Sequence, residues 1–308
     1  MEELKIFLNR ESPDIMTITE TKLQPTDKLK LNNYSIVRRD RENEYGGGVM
    51  ILIKKGIPFR TRKIPTTTIE AAAVDLPRNN ITIVGAYNRP KNYYKGRDLT
   101  RVLNISKRVV LAGDLNSKHK DWGNPNANTN GQTLKKTLED AELLINFPDE
   151  PTHYPTNGGN PTTIDGFIHK SNTAYTKAQA INDLNSDHLP VETQIIGELF
   201  QEDMTKTIES YKNTNWKEFR ETLDEHITIN EEINDPDKLD KELDELITAI
   251  RKATKQHTQR IKIKNNEKPT PTHITDLIKH RNKQRRQYQR TGDATLRDEL
   301  RRTNATIT

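Results

Sequence analysis

The chain has 308 residues, room for two domains or for one large domain with an appendage. Hydrophobic residues make up 31% and charged residues 30%, so a uniform core over the whole length is excluded and the apolar residues must be concentrated in one part. No apolar run reaches the roughly 18 residues of a membrane-spanning helix, the acidic start Met1-Glu2-Glu3 is unlike a signal peptide, and the lack of cysteine excludes disulfides, thiolate metal sites and cysteine nucleophiles.

Taken in chain order, Leu4, Phe7 and Leu8 share one helical face, and Ser12-Pro13 ends that helix. Asp14 to Thr19 alternates like a strand. Gly46-Gly47-Gly48 is a turn before the strand Val49 to Ile53; it lacks the Gly-Lys-Ser/Thr ending of a phosphate loop. Ile69 to Leu76 and Ile81 to Ala86 predict a hairpin across Pro77-Arg78-Asn79-Asn80. Val109 to Ala112 is short and fully apolar, as in a strand buried on both faces. Gly131 to Leu144 carries a helical stripe, Leu134, Leu138, Ala141 and Leu144, and Thr162 to Ile168 and Val191 to Ile196 predict further strands. Strands dominate, so packed sheets with helices outside are expected rather than a doubly wound parallel fold.

After about Ile196 the texture changes: glycine almost vanishes and polar residues dominate. Trp216, Phe219, Leu223 and Ile227 form one helical stripe and Leu239, Leu243, Leu246, Ile247 and Ile250 another, each expected to pack against its neighbour. Lys262 to Pro271 is a polar linker, and His273 to Arg290 a very basic helix. The net charge is +5, yet Arg251 to Arg302 alone holds 16 Lys and Arg against 5 Asp and Glu, which leaves the rest of the chain acidic. Clustered cations displace counterions from phosphates, so this tail is either a nucleic-acid surface or a solvated helix face. Arg281, Lys283, Arg285, Arg286 and Arg290 are its candidate nucleic-acid contacts.

Four segments end predicted strands in acidic or amide groups: Thr19-Glu20-Thr21, Gly113-Asp114-Leu115-Asn116, Ile164-Asp165 and Ser186-Asp187-His188. Singly, each has an ordinary reading: a solvated glutamate, an Asx turn, a salt-bridge partner, a surface turn stopped by Pro190. Jointly, carboxylates with one His and one Asn suit phosphodiester hydrolysis. A hard cation such as Mg²⁺ takes oxygen ligands and substrate phosphate, a carboxylate can activate water, and a His held by a second carboxylate can donate to charge developing on phosphorus.

This ordered set resembles the endonuclease/exonuclease/phosphatase superfamily, and within it the endonuclease of jockey-type non-LTR retrotransposons. The resemblance rests on Thr19-Glu20-Thr21-Lys22-Leu23, Tyr45-Gly46-Gly47-Gly48-Val49, Tyr87-Asn88-Arg89-Pro90, Gly113 to His119 with Trp122-Gly123, Pro151-Thr152, Thr163-Ile164-Asp165 and Ser186 to Pro190. It implies an α+β fold, a four-layer sandwich of two packed mixed β-sheets flanked by helices over residues 1–196. Residues 197–308 resemble the helical, basic segment that precedes a reverse transcriptase in such reading frames.

The resemblance also implies roles. Glu20 is expected as metal ligand and Asp187 as a second acidic group near metal or water. Asp114 is expected to position or deprotonate the water, Asn116 and His188 to contact the scissile phosphate, Asp165 to orient His188, and Tyr87 to supply a phosphate-side hydroxyl. His119 is expected to be structural. The implied activity is Mg²⁺-dependent nicking of DNA (Mn²⁺ being an alternative) in the nucleus, to prime reverse transcription by a downstream polymerase, with element RNA as a further partner. The family begins with a strand ending in an active-site Asn; here Met1 leads directly into the first helix, so a truncated copy is expected. The alternative is a catalytically dead remnant that binds nucleic acid through its basic tail.

Overall fold

A computed structural model describes residues 1–41, 46–65, 68–156, 159–170, 173–197, 207–227, 236–262 and 270–307. Tyr45 lies outside these. In chain order the first part holds α1 (Glu2–Glu11), β1 (Ile15–Thr19), β2 (Tyr34–Arg39), β3 (Val49–Lys54), β4 (Arg60–Arg62), β5 (Glu70–Leu76), β6 (Ile81–Tyr87), α2 (Gly96–Leu103), β7 (Val109–Asp114), α3 (Thr129–Asp140), β8 (Leu143–Asn146), β9 (Asp165–Lys170), β10 (Gln179–Ala180) and β11 (Val191–Glu192). Then follow β12 (Thr207–Ser210), α4 (Trp216–His226), α5 (Pro236–His257), β13 (Gln259–Lys262), α6 (Thr272–Thr291) and α7 (Ala294–Ile307). Two compact units result: residues 1–202 with 269–308, and residues 203–268. Among the described residues, no helix is long and apolar enough to cross a membrane.

The first unit is a four-layer sandwich. One sheet has the order β1-β3-β2, all antiparallel; the other has the order β4-β5-β6-β7-β9-β8, antiparallel except for the parallel pair β6-β7. Alternation along β3 builds two layers of core at once. Val49, Ile51 and Ile53 face Val74, Ile83 and Val110 of the larger sheet, while Met50 and Leu52 face Leu8, Leu31 and Tyr34 on the α1 side. All five β3 residues are buried, and each such aliphatic contributes about 1.5–3 kcal/mol. On its far face the larger sheet meets Leu99, Val102 and Leu103 of α2 and Leu134 and Leu138 of α3.

The expected helix 131–144 stops at Asp140. Glu142 turns the chain at φ +50°, and Leu144 lies in strand β8. β2, β4, α2 and β8 are elements the apolar pattern did not predict. α6 and α7 form a helical hairpin turned at Gly292, φ +68°, and this hairpin is part of the sandwich unit.

The second unit pairs β12 with β13 antiparallel and packs α4 against α5. Asn215 caps α4 through Oδ1 to the Glu218 amide, and the Thr222 hydroxyl meets His257 Nε2 at 2.7 Å. Ala249 and Ala253 are buried here, whereas Leu239, Leu243, Leu246 and Ile250 stay exposed, contrary to their expected packing; Trp216 is 46% exposed.

Candidate active site

The carboxylates of the site lie in one row across the large sheet. Register places Glu70 beside Tyr87, Tyr87 beside Asp114 and Asp114 beside Asp165, on β5, β6, β7 and β9. Gly113 permits this row: its φ is +152°, and a Cβ there would lie 1.9 Å from the Ala86 carbonyl oxygen. No side chain fits between β7 and β6 at that position.

Asp114 is buried, and both its oxygens accept from Asn116: Oδ1 from the backbone amide at 2.7 Å and Oδ2 from Nδ2 at 3.0 Å. Asn116 sits at φ +48°, a conformation asparagine tolerates better than most residues. Its Nδ2 also donates to the Asn88 carbonyl at 2.9 Å. Both amide protons are therefore used inside the protein. Asn116 is thus bonded to Asp114; the resemblance implied that it contacts the scissile phosphate.

Asp165 accepts from His188 Nδ1 at 2.9 and 3.1 Å and from the Thr152 hydroxyl at 2.6 Å. Thr152 Oγ in turn accepts from the amides of Ile164 and Asp165 at 3.1 and 3.2 Å, which fixes its rotamer. His153 stacks on His188 with ring centroids 4.5 Å apart, and its Nε2 lies 3.7 Å from Asp187. Sequence reasoning assigned no role to Thr152 or His153. Their signal is a polar pair placed between Pro151 and the Thr163-Ile164-Asp165 strand entry.

Charge follows from this geometry. Burial opposes protonation of His188, but the hydrogen bond and charge of Asp165, with Asp114 and Asp187 beyond, push it up to about 9. The imidazole is therefore a cation at neutral pH, tied through Nδ1, with Nε2 left for a ligand. Burial, then the charge of Asp165, pushes the Asp114 carboxyl well above the usual carboxylate range. Burial and the His188 cation push His153 down.

Glu20 follows β1 at φ +51° and accepts from the Tyr87 hydroxyl at 2.5 Å. Burial, then this bond to Glu20, holds the Tyr87 phenol far above its ordinary value. The glycine turn positions Glu20. The Lys22 amide donates to Gly47 O at 2.8 Å, the Gly48 amide donates to Glu70 at 2.7 Å, and a Cβ on Gly48 would lie 2.5 Å from Thr21 Oγ1.

Asp114, Asp165 and His188 offer ligand atoms that all lie within 4.8 Å of one another. The expected metal residues Glu20 and Asp187 are not part of that cluster; Asp187 is 45% exposed on its side chain. His119 caps a single 3-10 turn, Lys120–Trp122, accepting from the Asp121 amide at 3.2 Å, and its ring lies against Trp122.

The basic helix divides. Arg281 is 1% exposed, paired with Glu3 and with Asp183, and Arg285 bonds Asn182 at 2.7 Å and the Leu184 carbonyl. These two guanidiniums face the protein, where sequence reasoning offered them to nucleic acid. Lys283, Arg286 and Arg290 are exposed.

Residues 81–192, which span Tyr87, Asp114, Asp165 and His188, match the family described as Endonuclease-reverse transcriptase. The chain is thus similar to the endonuclease domains of non-LTR retrotransposons. It is 24% identical over 96% of its length to the RNA-directed DNA polymerase from mobile element jockey of Drosophila funebris, covering 33% of that protein. With the jockey polymerase of Drosophila melanogaster it shares 27% identity over 62% of its length, covering 22% of that protein. The chain thus spans a third or less of these relatives. The endonuclease domain of TRAS1, a telomere-specific non-LTR retrotransposon, superposes with a TM-score of 0.54 at 21% identity, covering 64% of this chain and 92% of that domain. The likeness shows that the matched part of this chain has the same fold.

Proposed function

We propose that this domain hydrolyses a DNA phosphodiester with the help of a divalent cation, and that the nick primes reverse transcription of a retroelement in the nucleus. The observation that carries this reading is the His188–Asp165–Thr152 chain beside a buried Asp114, at the ends of adjacent strands. Asp114, with a raised pKa, is suited to accept a proton from attacking water. Cationic His188, held on Asp165, is suited to donate from Nε2 to the phosphate oxygens as charge develops there. Thr152 and Asn116 keep the two carboxylates in place.

The donor set fits a hard cation. Glu20, Asp114 and Asp165 offer carboxylate oxygens, and the upward shift of Asp114, due first to burial, then to the charge of Asp165 and in smaller part to Glu20, is one that a cation would relieve. Glu20, beside the Asp114 carboxylate, would hold Mg²⁺ or Mn²⁺, which when bound would supply Lewis-acid polarisation of the phosphate. Water attack with departure of the 3′ oxygen leaves a 3′-hydroxyl and a 5′-phosphate, the ends a polymerase can extend. A single-site nick that DNA ligase reseals without further processing supports this chemistry; ends that resist ligase contradict it.

The exposed cations Lys283, Arg286 and Arg290 favour a second reading, binding of DNA or element RNA without cleavage. Salt-sensitive retention of DNA, abolished by neutralising these three, with no metal-dependent nick, would mark that case.

A further inference from the structure

We infer that the α6–α7 hairpin is a positioning element of the nuclease site, acting through the loop that presents His188; this rests on the nuclease reading above. The loop from Ile181 to Pro190 is closed at its base by the Ile181 amide donating to Pro190 O at 2.7 Å. One limb carries Ser186, Asp187 and His188. The other limb, Asn182-Asp183-Leu184, is gripped by α6.

Arg285 forks across that limb, with Nε donating to Asn182 Oδ1 at 2.7 Å and Nη1 to the Leu184 carbonyl. Asn182 returns a bond from Nδ2 to the Asn282 carbonyl at 3.0 Å. Asp183 lies between Arg10 of α1 and Arg281 of α6, and Arg281 also pairs with Glu3. Leu184 is held at φ +57°, a conformation a leucine adopts only under such constraint. The hairpin also reaches the second loop of the site. Arg297 Nη2 of α7 donates to Thr156 O at 3.1 Å, four residues after Thr152 and three after His153. Both segments that frame His188 are thus tied to residues 269–308.

Periodicity supports the division of labour. Ile278, Arg281 and Arg285 form the inward face of α6, while Lys279, Lys283, Arg286 and Arg290 form the outward face. A helix that only tethered nucleic acid would have no need of a buried guanidinium between two carboxylates.

The full chain is compared with Arg285→Ala and Arg285→Lys by steady-state nicking, by circular dichroism, and by NMR of the His188 ring, assigned by its loss in His188→Ala. Arg285→Ala is expected to lower kcat about tenfold with KM for DNA unchanged, and to shift the His188 ring signals while the spectrum of secondary structure is kept. Arg285→Lys, which reaches Leu184 O but cannot fork, is expected to recover part of both. An unchanged kcat with unchanged ring signals overturns the inference. A raised KM with unchanged kcat also overturns it and makes Arg285 a DNA contact. If Arg285→Ala unfolds, the lysine variant decides by the same two readouts. If the unaltered chain does not nick, the nuclease reading fails, and the ring signals alone decide whether α6 positions His188.

Discussion

Thr152 joins three groups with one hydroxyl: it donates to Asp165 and accepts from the amides of Ile164 and Asp165. Hydrogen bonds to a charged group are worth about 1.5–3 kcal/mol. Thr152→Ala should therefore reduce nicking roughly ten- to hundredfold, and Thr152→Ser, which keeps the hydroxyl, should restore most of it; equal loss in both variants would argue for a packing role instead. Gly113 is the backbone counterpart. Gly113→Ala puts a methyl 1.9 Å from the Ala86 carbonyl oxygen, and overpacking of this kind costs about 1–3 kcal/mol or more. Urea unfolding would register it as a lower midpoint. Glu20 and Asp114 were legible because an acidic residue closing an apolar strand is conspicuous, whereas Asp165 opens β9 and His188 lies in the loop before β11, so these two stood out only as members of the ordered set. Asn116 was legible as a member of the site, yet its partner was not, since nothing in Gly-Asp-Leu-Asn tells whether the amide faces the substrate or returns to Asp114.

α6 shows the same limit at the scale of an element. Its sequence carries arginine on both faces, so charge alone could not separate Arg281 and Arg285 from Arg286 and Arg290. Only the position of Glu3 and of Asn182-Asp183-Leu184, far away in the chain, decides which face is buried. Removing one partner of a buried ion pair costs about 3–5 kcal/mol, whereas an exposed surface change stays within about 0.5 kcal/mol. Arg281→Ala should therefore destabilise the domain strongly and Arg290→Ala hardly at all, as read by chemical denaturation. β3 was legible because five consecutive apolar residues can lie only between two covered faces. β2 was not, since Ser35, Arg38 and Arg39 interrupt its apolar pattern, and β8 was not, since Leu144 continues the helical spacing of Leu134 and Leu138 past the point where Glu142 turns the chain.

For the molecule as a whole, the sandwich brings the ends of β1, β6, β7 and β9 to one edge, and α6 with α7 returns from the far end of the chain to the loops at that edge. This return gives the sandwich unit an acid-sensitive joint. Burial alone would raise the Asp183 carboxyl, but the Leu184 amide and Arg10 outweigh it and hold it below the usual 3.8. The folded protein therefore binds this proton less tightly than the unfolded chain does. The stabilisation is complete above the unfolded value and is lost as pH falls through the folded one. Unfolding followed against pH should show a loss of stability in the acid range that is smaller in Asp183→Asn. Parallel curves for the two proteins would remove Asp183 from the account.

Cleavage of DNA by the Asp114–Asp165–His188 cluster is measured on supercoiled plasmid with Mg²⁺, with the chain as it stands beside Asp114→Asn and His188→Ala, all three checked for equal far-ultraviolet spectra. The unaltered chain should convert the plasmid to open circles, EDTA should arrest it, and each variant should lose on the order of a hundredfold or more, the scale of general acid–base catalysis. Normal nicking by both folded variants, or a nick indifferent to EDTA, would contradict this.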